Sequence, residues 1–308
     1  MFREIFYKKL QTGWRRQQDA DDIKESLKVD CFRGGHSGCI TEDGIILGAD
    51  PREAVLRSQG IQIPTTMDDG LLFQAGHSNE DNLAQWMDSA GMNYLQEEDC
   101  PVQWSVTSGD TTFPVIGRPD FKVLDDTGKD QYGIELKGIF SVGTAMDVAH
   151  FLGANPKVIN VCQSAHYSYK NNRLPWLLVY VNRGWHNVFY FGASRFKMDH
   201  RSLKLDDKTG KPITMSPFMT LYDLDWDGDT VLINNKPTLI TGAGIDRYYQ
   251  YLADCVVNKV IPSEHTSVDI WGKKLKKDKS KLYYSFKEAS TDSWDQWVED
   301  CKRIVEGI

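Results

Sequence analysis

Strand-forming runs at Val115-Ile116 and Tyr132-Gly133-Ile134 flank the polar stretch Asp125-Asp126-Thr127-Gly128-Lys129-Asp130, a strong turn signal. The pattern predicts a β-hairpin with strands over Phe113–Leu124 and Gln131–Phe140, inside a strand-rich block that begins near Gln103. Before it, from about Leu71 to Ala90, the apolar spacing is helical, with Leu83, Trp86 and Met87 on one face. Asp50-Pro51-Arg52-Glu53 reads as a helix start, with Asp50 as N-cap and Pro51 in the first turn. Residues 1–30 read as a charged helix, 31–50 as Gly-rich irregular chain around the apolar run Ile45-Ile46-Leu47, and 61–66 as extended.

After the hairpin the pattern predicts helices over Thr144–Leu152 and from Asn155-Pro156 to Asn171-Asn172, then strands at Trp176–Val181 and Val188–Phe191. Polar strands and turns follow over 195–240, then a helix over Gly244–Lys259 and an amphipathic helix around Trp294–Val305. The order helix, hairpin, helix, strand, strand fits an α/β core with a mixed sheet flanked by helices. There is no repeat, no low-complexity linker and no clear domain break, so the 308 residues are expected to form a single domain.

The composition, 41% hydrophobic and 26% charged, is that of a globular protein. No apolar run approaches the roughly 18 residues needed to span a bilayer. The first nine residues lack the apolar core of a secretory signal, and their basic residues read as a charged arm rather than a transit peptide. The net charge of −7 argues against non-specific coating of nucleic acid, but local patches still count. Lys273, Lys274, Lys276, Lys277, Lys279 and Lys281 lead into Tyr283, Tyr284 and Phe286. Such a segment can neutralise phosphates and stack on bases, or it can be a solvated loop. The six cysteines are dispersed and are expected as free thiols. Cys31, His36 and Cys39 offer three zinc ligands, but no fourth lies nearby and the intervening glycines read as a loop, so zinc is not expected.

The chemistry concentrates in Gly117-Arg118-Pro119-Asp120, a gap of fourteen residues, and Glu135-Leu136-Lys137. Alternation along a strand puts Glu135 and Lys137 on one face, and strand pairing can bring Asp120 to it. Two carboxylates and an ammonium are costly to desolvate together unless something organises them, and a divalent metal does so naturally. Taken alone, E-x-K is equally a surface salt-bridge pattern.

Asp120 and Glu135-x-Lys137, with the preceding Pro119, resemble the PD-(D/E)xK nuclease superfamily. Three further stretches extend the resemblance. Gly76-His77-Ser78-Asn79-Glu80 resembles the G-x-x-x-E element that precedes the core hairpin in phage recombination exonucleases and RecB-like nucleases. Gln163-Ser164-Ala165-His166-Tyr167 is similar to the Q-x-x-x-Y motif of the RecB-like branch. Ser26 through Arg33 resembles the S-x4-C-x-R opening of RecB-like and CRISPR-adaptation nucleases. Together these span about residues 26–167.

The resemblance implies a restriction-endonuclease-like core over about 65–195, with an N-terminal segment 1–64 and a C-terminal extension 196–308. It implies one or two Mg²⁺ or Mn²⁺ ions held by Asp120, Glu135, the Leu136 backbone carbonyl and Glu80. His77, on the same helical face as Glu80, is either a further ligand or a plain polar residue at a helix start. Lys137 would orient or deprotonate the attacking water. Gln163, Tyr167, Arg118 and the lysines 273, 274, 276 and 277 would contact DNA. An iron–sulfur cluster is not expected, because Cys162, Cys255 and Cys301 lack the close spacing found in cluster-bearing members.

The implied activity is a metal-dependent deoxyribonuclease of recombination, repair or phage DNA processing, most naturally an exonuclease. A structure-specific endonuclease and a catalytically silent DNA-binding protein are the alternatives, and the intact Asp/Glu/Lys set argues against the second. Glycoside hydrolysis by a carboxylate pair is disfavoured by Lys137 between them. Family distribution points to the cytoplasm of a bacterium or phage-infected cell. Phage-type relatives form rings and work with recombination or replication proteins, which leaves a homo-oligomer and such partners open.

Overall fold

The computed structural model describes residues 30–61, 67–139, 155–182, 219–275, 286 and 289–307. Five helices are described: α1 (Pro51–Ser58), α2 (Met67–Ser89), α3 (Val158–Lys170), α4 (Gly242–Asn258) and α5 (Trp294–Gly307). The strands are β1 (Phe32–Arg33), β2 (Gly38–Ile40), β3 (Ile46–Gly48), β4 (Asn93–Gln96), β5 (Val102–Ser108), β6 (Thr111–Gly117), β7 (Phe121–Leu124), β8 (Asp130–Ile139), β9 (Trp176–Asn182), β10 (Met219–Asp227), β11 (Thr230–Ile233) and β12 (Lys236–Thr241). The architecture is mixed α/β. A seven-stranded sheet runs β12-β11-β10-β9-β8-β7-β4, a three-stranded sheet runs β1-β6-β5, and β2 pairs with β3. Within the long sheet β8 and β9 are parallel and their neighbours antiparallel.

Helix α1 starts as its sequence dictates: the Asp50 side chain accepts the Arg52 N–H at 2.9 Å and Pro51 fills the first turn. Helix α4 is capped by Thr241 and stops at Lys259, which takes a left-handed conformation. Helix α2 covers one face of the long sheet, where Leu83, Ala84 and Met87 pack on Phe121, Val123, Ile134, Leu136 and Val179. Helix α3 covers the other, over Trp176, Leu178 and Tyr180, and is itself packed against the β2–β3 hairpin and α4. Period-two alternation therefore sends the odd and even residues of β8 and β9 into two separate cores.

Several expectations are corrected. The strand expected over Phe113–Leu124 is broken at Arg118-Pro119-Asp120. Its halves, β6 and β7, belong to different sheets, because proline cannot donate to a ladder and its ring fixes the backbone turn. Asp130, placed in the turn, already belongs to β8. Residues 31–50 are not irregular but carry β1, a 3-10 turn at Gly34–His36, and the β2–β3 hairpin. Helix α3 starts at Val158, not at Asn155-Pro156: Lys157 is its extended N-cap residue, and the Lys157 N–H goes to the Tyr180 hydroxyl. Trp86 is 58% exposed rather than on the apolar face, since Ala84 and Met87 already fill the contact with the sheet. Strands β10–β12, beyond residue 195, complete the same sheet as β8. The helix expected over 1–30, the extended segment 62–66, the helix at Thr144–Leu152, the strand at Val188–Phe191, and Lys276, Lys277, Lys279, Lys281, Tyr283 and Tyr284 lie outside the described residues.

Candidate active site

Strand β7 begins at Phe121, which pairs with Ile134, so among the described residues β8 has no strand partner on that edge from Glu135 onward. The Leu136 N–H, left without a ladder carbonyl, donates instead to the Asp120 carboxylate at 2.5 Å. In an extended strand the N–H and C=O of one residue point to the same edge, so the Leu136 carbonyl faces this gap too. The break that divides β6 from β7 thus brings a carboxylate to a strand edge it has itself opened.

A short 3-10 turn at Glu97–Asp99 holds the break in place. The Glu97 N–H donates to the Asp120 carbonyl at 3.3 Å, the Cys100 thiol to the Pro119 carbonyl at 3.8 Å, and Arg118 pairs with Glu98 at 2.6 Å. Glu97 adopts φ 38°, a conformation uncommon for a residue with a side chain.

Glu135 and Lys137 lie opposite Leu178 and Tyr180 of β9 and share their face, the one covered by α3. The Lys137 ammonium donates to Glu135 Oε1 at 2.5 Å. Glu135 is fully buried, and its second oxygen, Oε2, has no hydrogen-bond partner among the described residues. An unpaired buried carboxylate oxygen costs several kcal/mol on general grounds. Burial and the charge of Glu135 push the Asp120 carboxyl well above the usual carboxylate range. Burial pushes Glu135 up as well, against the pull of Lys137. Burial disfavours the Lys137 ammonium, but Glu135 and Asp120 outweigh it and raise its pKa. Were both carboxylates ionised, the three groups would hold more negative charge than the one ammonium neutralises, and the upward shifts oppose that state.

Glu80 of α2, 16% exposed, adds to that field and destabilises the charged forms of both Asp120 and Glu135. Its Oε2 lies 3.1 Å from His77 Nδ1 and accepts a hydrogen bond when that nitrogen carries the proton; His77 is largely exposed. His77, Glu80 and Glu97 place one ligand atom each within 4.8 Å of one another. Sequence reading missed Glu97. It sits in the polar run Gln96-Glu97-Glu98-Asp99, where only the chain's turn back toward Asp120 singles it out.

Asp120, Glu135, the Leu136 carbonyl and Glu80 are hard oxygen donors of the kind that Mg²⁺ and Mn²⁺ take. The orphaned Glu135 Oε2 is what such an ion would satisfy, so the chemistry of this donor set suits one, but among the described residues the carboxylate and imidazole ligand atoms that converge within 4.8 Å are those of His77, Glu80 and Glu97 and include neither Asp120 nor Glu135.

Across from the carboxylates, Gln163 Nε2 donates to the Tyr167 hydroxyl at 3.2 Å. Tyr167 is wedged against two glycines: a Cβ on Gly34 would stand 2.6 Å from its ring and one on Gly117 2.3 Å. Burial, then the charge of Glu135, raises the Tyr167 hydroxyl's pKa well above its ordinary value, which puts the hydroxyl in the field of the carboxylates. Arg118 is half-exposed and already paired with Glu98. Lys273 and Lys274 follow a turn in which Asp269 accepts the Trp271 and Lys273 N–H groups and the Asn155 amide, so their chain is tied to the approach to α3. His36 bonds Glu53 at 3.2 Å, whereas the Cys39 thiol points at the Leu239 carbonyl.

No family model matches the chain, and no curated protein matches it. A solved structure described as SSO0001 is similar over 60% of this chain and 59% of its own, at 16% identity and a TM-score of 0.34. No helix among the described residues is long and apolar enough to cross a membrane.

Proposed function

We propose that the protein is a divalent-metal-dependent deoxyribonuclease with a restriction-endonuclease-like core, acting on DNA as an exonuclease. One observation carries the reading: a fully buried Glu135 with one oxygen on Lys137 and the other on no partner among the described residues, beside Asp120 and an open strand edge. A carboxylate kept in that state is a poor structural residue and a good half-occupied ligand.

Asp120, Glu135, the Leu136 carbonyl and Glu80 would hold Mg²⁺ or Mn²⁺, with Glu97 and His77 at the outer end of Glu80. Such an ion, when bound, polarises a phosphoryl oxygen and acidifies a water. The Lys137 ammonium, kept protonated by its two carboxylate neighbours, orients the attacking water by donating to it, and offers a positive charge to the phosphoryl oxygens. As an ammonium it does not act as the base. The part-buried Gln163 amide supplies a polar contact for the strand, while the Tyr167 hydroxyl, expected to touch DNA, is buried and instead holds that amide in place. Lys273 and Lys274 give the phosphate backbone a cationic approach.

Digestion of end-labelled linear and closed circular DNA tests the reading, with Mg²⁺, with Mn²⁺ and with EDTA, Lys137→Ala alongside wild type. Metal-dependent loss of linear DNA alone, abolished by the substitution, is the expected result. Cutting of circles would make the enzyme an endonuclease on the same residues. Absence of cleavage under every condition would sink the catalytic reading.

A further inference from the structure

Away from the carboxylates, four polar side chains from distant parts of the chain close into one buried cluster. Trp104 of β5 donates its indole N–H to His166 Nε2 at 2.9 Å. On the other side of the ring, His166 Nδ1 lies 2.8 Å from Ser37 Oγ and 3.2 Å from the Tyr249 hydroxyl. Ser37 Oγ and the Tyr249 hydroxyl are 2.9 Å apart, and the Ser37 hydroxyl donates to the Gly34 carbonyl. Ser37, His166 and Tyr249 are fully buried.

The donors can be assigned without seeing a proton. An indole N–H only donates, so His166 Nε2 must be bare. Burial of the whole ring disfavours the imidazolium, and so does the nearby Lys170. The neutral ring then carries its proton on Nδ1 and donates from there to Ser37. The Ser37 hydrogen is committed to Gly34, so the Tyr249 hydroxyl also donates to Ser37 Oγ. Every member is satisfied in one direction only, and the chain of donors ends on the Gly34 carbonyl. The Ser37 backbone N–H reaches that same carbonyl at 3.1 Å.

Gly34 is where this cluster meets the candidate active site. It leaves no room for a side chain there: a Cβ on Gly34 would stand 2.6 Å from the Tyr167 ring and 2.9 Å from the Cα of Gly117, three residues before Asp120. His166 and Tyr167 are consecutive in α3, so one turn of helix supplies both the residue that pins the Gly34 turn and the residue that rests on it. We infer that His166 is a positioning residue: as its Nδ1–H tautomer it directs the Ser37 hydroxyl onto the Gly34 carbonyl and fixes the seat of Tyr167 beside Asp120 and Glu135. The consequence for turnover rests on the nuclease reading; the tautomer and the seat do not.

Ring ¹⁵N–¹H correlation spectra of the full-length, histidine-labelled protein test the tautomer, with His166 assigned by the signals lost in His166→Asn. Protonated Nδ1 and bare Nε2, unchanged from pH 7.5 down to 5, are expected; an Nε2–H form, or titration within that range, would overturn the inference. The seat is read from ¹³C-labelled tyrosine rings, with Tyr167 assigned by Tyr167→Phe. Asparagine puts an amide donor where Nδ1–H was, so beyond the change both variants share from losing the neighbouring imidazole ring, the Tyr167 signals should move less in His166→Asn than in His166→Leu. Tyr167 signals that move equally in both variants would overturn it. In the DNA-cleavage assay His166→Leu should lower kcat at least about tenfold with KM for DNA unchanged, and His166→Asn should stay within about threefold. If wild type cuts no DNA, the nuclease reading fails by itself, and the two spectra still decide the positioning role.

Discussion

The Asp120 carboxylate bonds the Leu136 N–H in the position that a longer β7 would have filled with a main-chain carbonyl. The same side chain is therefore a ladder acceptor and a candidate ligand, and two substitutions separate the roles. Asp120→Asn keeps an acceptor and removes a carboxyl whose ionisation burial and Glu135 already oppose. Without metal its melting temperature should equal or exceed that of wild type. Asp120→Ala strands the Leu136 N–H and should cost about 1–3 kcal/mol. Thermal unfolding in EDTA distinguishes them. Adding Mn²⁺ should stabilise wild type by several degrees and neither variant. Equal metal stabilisation in all three proteins would remove Asp120 from the ligand set.

Glu97 gives a second test. It stands beside Glu80 and His77, and its backbone grips Asp120. Glu97→Ala keeps the backbone bond and removes the carboxylate. The metal concentration for half-maximal DNA cleavage should rise about 10- to 100-fold, with the rate at saturating metal within a few-fold of wild type. An unchanged metal titration would show that Glu97 serves only the turn.

Gly117→Ala asks how tightly Tyr167 is seated. The added methyl would lie 2.3 Å from the ring, which is rooted in α3 and has Gly34 packed against the same edge beside Gly117. Destabilisation of about 1–3 kcal/mol by chemical denaturation is expected, with a larger fractional loss of cleavage than of fold. The neighbouring Gly35→Ala, where a Cβ meets nothing within 4 Å, is the matched control and should be near neutral.

Acid stability follows from His166. Its pKa falls from 6.5 to about 3 on folding, first through burial and then through Lys170. A group whose folded pKa is depressed binds more protons when unfolded. Its contribution is thus fully present above pH 6.5 and is lost as the pH falls toward 3, a cost on the order of a few kcal/mol over that window. His166→Asn does not titrate, so its unfolding free energy should fall less steeply between pH 6.5 and 4 than that of wild type. Parallel slopes would refute the assignment.

What could be read from sequence divides along a physical line. Local signals were sufficient where the chain decides locally. Asp50-Pro51 starts α1, the spacing of Leu83 and Met87 makes α2 amphipathic, and alternation alone puts Glu135 and Lys137 on one face. Reading failed where distant contacts decide. Pro119 stood in plain view, yet only the two sheets show that it splits a strand and frees the edge of β8. Glu97 lies in an ordinary acidic run until its backbone turns toward Asp120. Ser37 and Tyr249 are 212 residues apart, and no periodicity links them.

The division of the chain into two sheets bears on folding as much as on chemistry. Glu135 and Lys137 belong to the long sheet, Gly34 and Gly117 flank the short one, and Asp120 sits on the crossing between them. Neither sheet contains the whole donor set, and the crossing takes its shape only once both have docked. A nascent or partly unravelled chain therefore lacks a complete centre, and under the proposed function capture of a divalent ion would be a late event that reports completed assembly.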